Sequence, residues 1–306
     1  MSILNFFKYR KLNKLPNNLI QRVLRLGIHE PSHSNNWQPE KVSVQGITDP
    51  QEVLHLLRVG VSAHYHCPIA NLVRPNGWQF GDANWNPFST VAKKLLGDPN
   101  NKYMNSALER YYSYHQPRNA AQAVVGLEQT ACQLTKLEPL MVYLVPWESS
   151  SVTELRSELI KVFRADLKQH CGPQNLSIEK HGWKDHGSVS PIFGEFEFQR
   201  IRNIILSVKS KGYIQDGSGV RVWVLQRGNE YRFLIRGGMH RAAVADAMGL
   251  EFLSVSFIRP WVINCDEVIY WSGVKQGIWK KTEALRYFNH LFDFDSQGWA
   301  DQANLL

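Results

Sequence analysis

The amino-acid sequence predicts an α+β protein in which a mixed α/β module follows a mostly helical N-terminal region. Apolar residues recur at helical spacing through most of the first half, whereas the second half alternates apolar and polar residues before a glycine pair. The chain has 306 residues and is 43% hydrophobic, enough to fill a substantial core. We expect a mostly helical region over 1–175, the module over 176–260, and an aromatic-rich helical extension over 261–306 that packs on the module.

Helical spacing predicts helices over residues 15–27, 91–96, 104–115, 119–137 and 154–170, and Asp49 with Pro50 opens another. Residues 140–145 form an apolar run that ends at Pro146, which is typical of a buried strand. The first half is therefore expected to be predominantly helical.

Charge and cysteine usage restrict the class of protein only broadly. The net charge of +8 and pI near 9.3 suit a chain that meets anions, whether nucleic acid, nucleotides or a phosphorylated surface. A basic stretch near the N-terminus, around Lys8 and Lys11, indicates either a nucleic-acid or membrane-surface contact or a solubilising arm. The four cysteines have no CxxC spacing, which favours a reducing, cytoplasmic setting, and we expect no transmembrane segment.

The predicted module begins with a helix whose apolar face includes Phe198, Ile201 and Ile205 and which ends near Gly212. Alternating residues over 220–224 and 231–235, joined by a tight turn, predict a hairpin. A further alternating strand follows over 251–257.

The second hairpin strand leads directly into a glycine turn, Gly237-Gly238-Met239-His240-Arg241, followed by an alanine-rich helix. Glycines let the backbone approach an anion, and the first N–H groups of a helix point toward it. Arg241 can add a bidentate charged contact, and His240 can add a donor. This arrangement predicts a phosphate-binding site, although a tight strand-to-helix turn with a surface arginine would also explain it.

The order of helix, hairpin, glycine turn, short helix and strand resembles the ParB/sulfiredoxin superfamily. The turn is written Gly-Glu-Arg-Arg in ParB proteins, Gly-Cys-His-Arg in sulfiredoxins and Asp-Gly-His-His-Arg in the related free-serine kinases, and Gly238-Met239-His240-Arg241 stands in the same place. The segment SVKSKGY over 207–213 is similar to the superfamily's helix ending. The resemblance covers about a quarter of the chain and implies ATP or another nucleoside triphosphate, with Mg²⁺, as cofactor.

Two departures limit what the resemblance implies. Met239 occupies the sulfiredoxin cysteine position and the ParB glutamate position, and a thioether cannot act as a thiolate nucleophile. Gly237 occupies the kinase aspartate position. Phosphate binding by the turn and Arg241 is what all three comparisons retain.

Acidic and basic residues near the start of the module's first helix are the candidate catalytic groups. Glu195 and Glu197 are expected just before or within the first turn, where a carboxylate could accept a proton from an attacking hydroxyl or simply stabilise the helix dipole. Arg200 is assigned to the phosphates and His181 to catalysis.

The loop upstream contains Trp183, His186 and Ser190, which we assign to substrate binding, with an ordinary polar connection as the alternative. His64, His66 and Cys67 have zinc-like spacing but no evident fourth ligand, so no metal site is assigned.

The sequence therefore predicts a nucleotide-dependent phosphotransferase acting on a small hydroxyl compound or glycan. One alternative is a ParB-like nucleotide switch or DNA-binding protein without small-molecule catalysis, and another is a degenerate module used for protein interaction.

Overall fold

The computed structural model describes residues 43–127, 130–170, 176–182, 186–214 and 219–306. The predicted helix over 15–27, the N-terminal basic stretch, Cys171 and Trp183 lie outside these ranges. Within them the protein is α+β, with helices packed on a six-stranded mixed sheet.

The sheet has the strand order β1-β2-β6-β4-β5-β3. Its strands are β1 Ser43–Ile47, β2 Ser62–Pro68, β3 Leu72–Val73, β4 Arg221–Arg227, β5 Glu230–Gly237 and β6 Phe252–Asn264. Pairing is antiparallel for β2–β6 and β4–β5 and parallel for β1–β2, β6–β4 and β5–β3. The predicted hairpin and closing strand thus form the centre of the sheet.

The α-helices are α1 Pro50–Arg58, α2 Pro87–Gly97, α3 Ala107–Tyr114, α4 Val152–His170, α5 Ile178–His181, α6 Pro191–Lys211, α7 Met239–Ala247, α8 Ser272–Lys275, α9 Lys281–Asp293 and α10 Ser296–Gln302. Short 3₁₀ helices span Ile69–Asn71, Cys132–Lys136, Pro139–Tyr143 and Cys265–Tyr270. None of the helices in the described ranges is both long enough and apolar enough to cross a membrane.

The prediction of a mostly helical first half omitted three strands. β1 and β2 extend one side of the central strands, and β3 forms the opposite edge. Strand β2 was missed because His64 and His66 interrupt its apolar residues, and β3 because it has only two residues. The first half and the module therefore share one sheet.

Two further predictions in the first half were wrong. The described part of 119–137 forms no α-helix and only a short 3₁₀ helix, Cys132–Lys136, because Val125 N–H donates to the Asn76 carbonyl and Ala120 N–H to the Leu137 carbonyl instead of to carbonyls one helical turn away. The apolar run that ends at Pro146 is largely a buried 3₁₀ helix, Pro139–Tyr143, rather than a strand.

The two faces of the sheet carry different layers. Tyr65, Phe233 and Phe257 pack their rings together on one face, with centroids 4.7 to 5.8 Å apart. Alternation places Trp223 and Arg236 on the opposite face, since Trp223 pairs with Leu234 two residues before Arg236. Helices α2, α6 and α7 pack on one another and so bring the start of α7 beside α6.

Candidate functional site

The glycine turn joins β5 to α7, as the sequence predicted. Gly238 is the residue before the helix and adopts φ 85° and ψ 21°, a left-handed conformation that favours glycine. A Cβ on Gly238 would also overlap the carbonyl of Gly219. Local packing therefore requires glycine here, whether or not a ligand binds.

Two exposed arginines flank the turn. The Arg241 side chain lies against Gly219, and the Arg241 carbonyl accepts a hydrogen bond from the Tyr213 hydroxyl at 3.1 Å. The Arg221 guanidinium lies beside Gly237, its register partner across the hairpin, and a Cβ on that glycine would lie 2.9 Å from Arg221 Nη2. Arg221 is not among the site residues that the sequence predicted. Its position opposite Gly237 in the predicted hairpin was the signal that could have identified it.

His240 and Glu197 meet in the interior. His240 Nε2 lies 2.7 Å from Glu197 Oε2, so the imidazole donates to the carboxylate, and Glu197 is fully buried while His240 is 9% exposed. Arg200 Nη1 donates to the other Glu197 oxygen at 3.1 Å. The same guanidinium also holds Asp166 of α4 through bonds of 3.0 and 3.2 Å. The result is a hydrogen-bonded series, His240–Glu197–Arg200–Asp166.

This hydrogen-bonded series changes the roles expected of Glu197 and Arg200. Helix α6 begins at Pro191, so Glu197 lies beyond its first turn and does not act as a dipole-stabilising residue at the helix start. Its complete burial separates it from any surface-bound acceptor. Arg200 donates to two carboxylates, Glu197 and Asp166, so the predicted phosphate contact of Arg200 does not fit the structure.

Glu195 and Met239 have other surroundings. Glu195 accepts a hydrogen bond from Gln199 one turn along α6. Burial, with the negative charges of Glu109 and Glu195, raises the pKa of Tyr103 to about 12, which places Glu195 near that phenol. Met239 is the first residue of α7 and its side chain is buried.

The upstream loop is divided between a cleft and the interior. His181 and Ser190 line an open cleft of about 440 Å³, together with Arg118 and Lys180. Ser190 also caps α6, because its hydroxyl accepts from Phe193 N–H. The residues that line this cleft do not include the glycine turn, so the loop and the turn do not form one pocket there.

His186 is fully buried rather than exposed to a substrate. Its Nε2 lies 3.1 Å from Arg74 Nη2 and 2.9 Å from the Tyr143 hydroxyl. Because a guanidinium only donates, His186 Nε2 must accept, and the imidazole is held as the neutral Nδ1–H tautomer.

The three residues with zinc-like spacing, His64, His66 and Cys67, do not point toward a common site. His64 and His66 lie on one face of β2, whereas Cys67 is buried on the other. His64 Nδ1 instead lies 3.0 Å from the Ser256 hydroxyl, and His66 stacks on Phe252. Among the described residues, no three His, Cys, Asp or Glu side chains could hold a metal ion together.

No protein-family model, curated protein or solved structure matches this chain. The resemblance to the ParB/sulfiredoxin superfamily therefore rests on the glycine-turn motif and the order of elements around it, and it stays a prediction.

Proposed function

We propose that the protein binds a nucleoside triphosphate at the glycine turn and transfers a phosphoryl group to a small hydroxyl compound or glycan. The observation that supports this most is the concentration of anion-binding groups at one helix start: exposed Arg241 and Arg221 on either side of Gly237 and Gly238. The first helical bond of α7 runs from Ala242 N–H to the Gly238 carbonyl, so the preceding amides belong to the end of the helix that attracts anions.

A phosphate is the anion that this arrangement suits best. A guanidinium on each side of the turn can donate two parallel bonds to phosphate oxygens, and two such groups match the charge of a polyphosphate. Mg²⁺ would arrive bound to the nucleotide's own phosphate oxygens, since the described residues supply no group of three ligands for it.

The proton-accepting group in this proposal is His240 rather than Glu197. Glu197 accepts the Nε2–H bond, so the basic nitrogen of the neutral His240 ring is Nδ1, through which the proposed proton transfer would run. Glu197 is then a positioning residue that fixes the tautomer and orientation of His240, and Arg200 with Asp166 fixes Glu197 in turn.

Calorimetric titration with ATP, CTP, GTP and ADP in the presence of Mg²⁺ tests the binding step. Arg241→Ala should weaken the affinity about 10- to 100-fold, because a charged hydrogen bond contributes roughly 1.5–3 kcal/mol. Arg164→Ala is the matched control, since Arg164 is also exposed but its guanidinium pairs with Glu179 rather than lying at the glycine turn. Absence of binding to every nucleotide, or equal affinities of the two variants, would contradict the proposal.

Release of ADP across a panel of hydroxyl compounds tests the transfer step. Glu197→Gln should keep the nucleotide affinity and lower kcat by about 10²-fold or more, the usual contribution of a positioned proton acceptor. His240→Gln should do the same. Binding without turnover on a broad panel would instead favour the nucleotide switch.

A further inference from the structure

A ladder of stacked arginine and aromatic side chains lies on the sheet face opposite Phe233. Arg236 Cζ lies 4.1 Å from the Trp223 ring centroid and 4.8 Å from that of Tyr143. Arg259 Cζ lies 4.2 Å from the same Trp223 ring. We call Tyr143, Arg236, Trp223 and Arg259 the arginine ladder.

The strand pairing explains how three strands build this ladder. Trp223 and Arg236 lie on adjacent strands β4 and β5 and share a face. The pairing of β4 with β6 is interrupted between Phe257 and Val262, opposite Trp223, and Arg259 lies within that bulge. The bulge directs Arg259 back over the tryptophan ring.

The ladder has more positive than negative charge. Glu148 is 4% exposed and its Oε1 accepts from the N–H groups of Ser149 and Ser150, while its Oε2 lies 4.0 Å from Arg236 Nη2. Arg74 is also 4% exposed and contacts the ladder through its bond to the Tyr143 hydroxyl. The two ladder guanidiniums, Arg236 and Arg259, therefore lie near one carboxylate, Glu148, within the described residues.

The donors of the ladder are incompletely used. Arg236 Nη1 is buried and has no hydrogen-bond partner among the residues that the structure describes. Burial lowers the pKa of Arg236 and of Arg259, and repulsion between neighbouring guanidiniums acts in the same direction. Arginine stays protonated in proteins, so the charge persists. Stacking on aromatic faces stabilises the cations but supplies no acceptor for the N–H edges of the guanidiniums.

We propose that the edges of Arg236 and Arg259 form a binding site for a small oxyanion, a carboxylate or a phosphate group. An oxyanion supplies both the negative charge and the acceptors that the ladder lacks. The site can be reached from solvent, because Arg259 is partly exposed and the bulge around it also exposes Ile258 and Trp261. This site involves none of the residues assigned to the phosphates at the glycine turn and does not depend on the proposed function.

Thermal unfolding in acetate, citrate or inorganic phosphate, each matched in ionic strength to chloride, tests the site. At least one oxyanion should raise the Tm of the wild-type protein in a saturable manner, and Arg259→Met should abolish that increment. Arg259→Lys should raise the apparent Kd for the oxyanion at least about 10-fold, because lysine keeps the positive charge but lacks the planar pair of donors of a guanidinium. The organic acids and phosphate distinguish the two ligand classes.

Arg241→Ala is the control that separates the two anion sites. Its increment from acetate should equal that of the wild type if the ladder binds the ion, whereas an increment from phosphate bound at the glycine turn would be lost in Arg241→Ala and kept in Arg259→Met. Phosphate stabilises many proteins through general exclusion from the surface, and that effect would be the same in Arg259→Met. Equal increments in wild type and Arg259→Met for every oxyanion, or increments lost only in Arg241→Ala, would overturn the proposal.

Discussion

Replacing Glu197 by glutamine should destabilise the fold substantially. The carboxylate is fully buried and accepts from His240 at 2.7 Å and from Arg200 at 3.1 Å. A glutamine has one oxygen and one amide N–H₂ group, so one of the two donors would face another donor. Glutamine has nearly the same shape as glutamate, so the change isolates charge and hydrogen bonding from packing.

The size of the effect follows from the partners that remain. Loss of a buried charged hydrogen bond costs roughly 1.5–3 kcal/mol, and breaking a buried pair outright costs about 3–5 kcal/mol. Arg200 keeps its two bonds to Asp166, so its charge stays compensated. We expect the free energy of unfolding to fall by about 2–4 kcal/mol.

Urea titration followed by tryptophan fluorescence measures this change. Asp166→Asn is the matched control, because the Asp166 side chain is 24% exposed and Arg200 would keep its bond to Glu197. Asp166→Asn should lower the free energy of unfolding by less than half as much as Glu197→Gln does. A Glu197→Gln protein within about 0.5 kcal/mol of the wild type would refute the reasoning, because that is the range of an ordinary surface substitution.

Three further predictions follow from local features. Gly238→Ala should lower the free energy of unfolding by at least about 2 kcal/mol, because the new Cβ clashes with the Gly219 carbonyl and the backbone is left-handed. Gly249 is also left-handed, but a Cβ there meets no neighbouring atom, so Gly249→Ala should lower it by only about 1 kcal/mol. Urea titration compares the two variants. Burial lowers the pKa of His290, like that of His115, to about 4, so the folded state binds fewer protons than the unfolded state near and below pH 6.5. Each histidine should therefore contribute a loss of about 2 kcal/mol in the free energy of unfolding from pH 7.5 to pH 5, and His290→Gln should remove about half of the combined loss. If the protein binds DNA through the phosphate backbone, a gel shift seen at low salt should weaken steeply with salt, and a shift unaffected by salt would contradict that alternative.

The centre of the fold could be predicted because its sequence signals are local. Alternating residues predicted β4 and β5, and Gly212 and Gly249 follow the helices that they were expected to end. β2 was missed because its polar face carries His64 and His66, which weakens the apolar alternation. The helix expected over 119–137 failed because its amides bond to residues far along the chain, which spacing alone cannot show.

The site was only partly predictable for a related reason. Gly238 and Arg241 lie at the turn because adjacent residues specify it. The pairing of Glu197 with His240 joins residues on two helices, and the contact of His186 with Arg74 joins two distant loops. Such pairs depend on how elements pack, so the sequence indicated the residues and not their partners.

Arg236 and Arg241 show why the position of an arginine in the fold, more than the net charge of the chain, indicates what it can bind. β5 directs Arg236 onto Trp223, where burial and stacking fix the guanidinium in one orientation. Five residues later, Arg241 emerges exposed in the first turn of α7. An exposed guanidinium keeps its hydration until a ligand replaces it, so its contribution to binding is reduced by that exchange and by salt. A buried one has already lost its hydration, so an oxyanion that reaches it meets a stronger and less screened attraction.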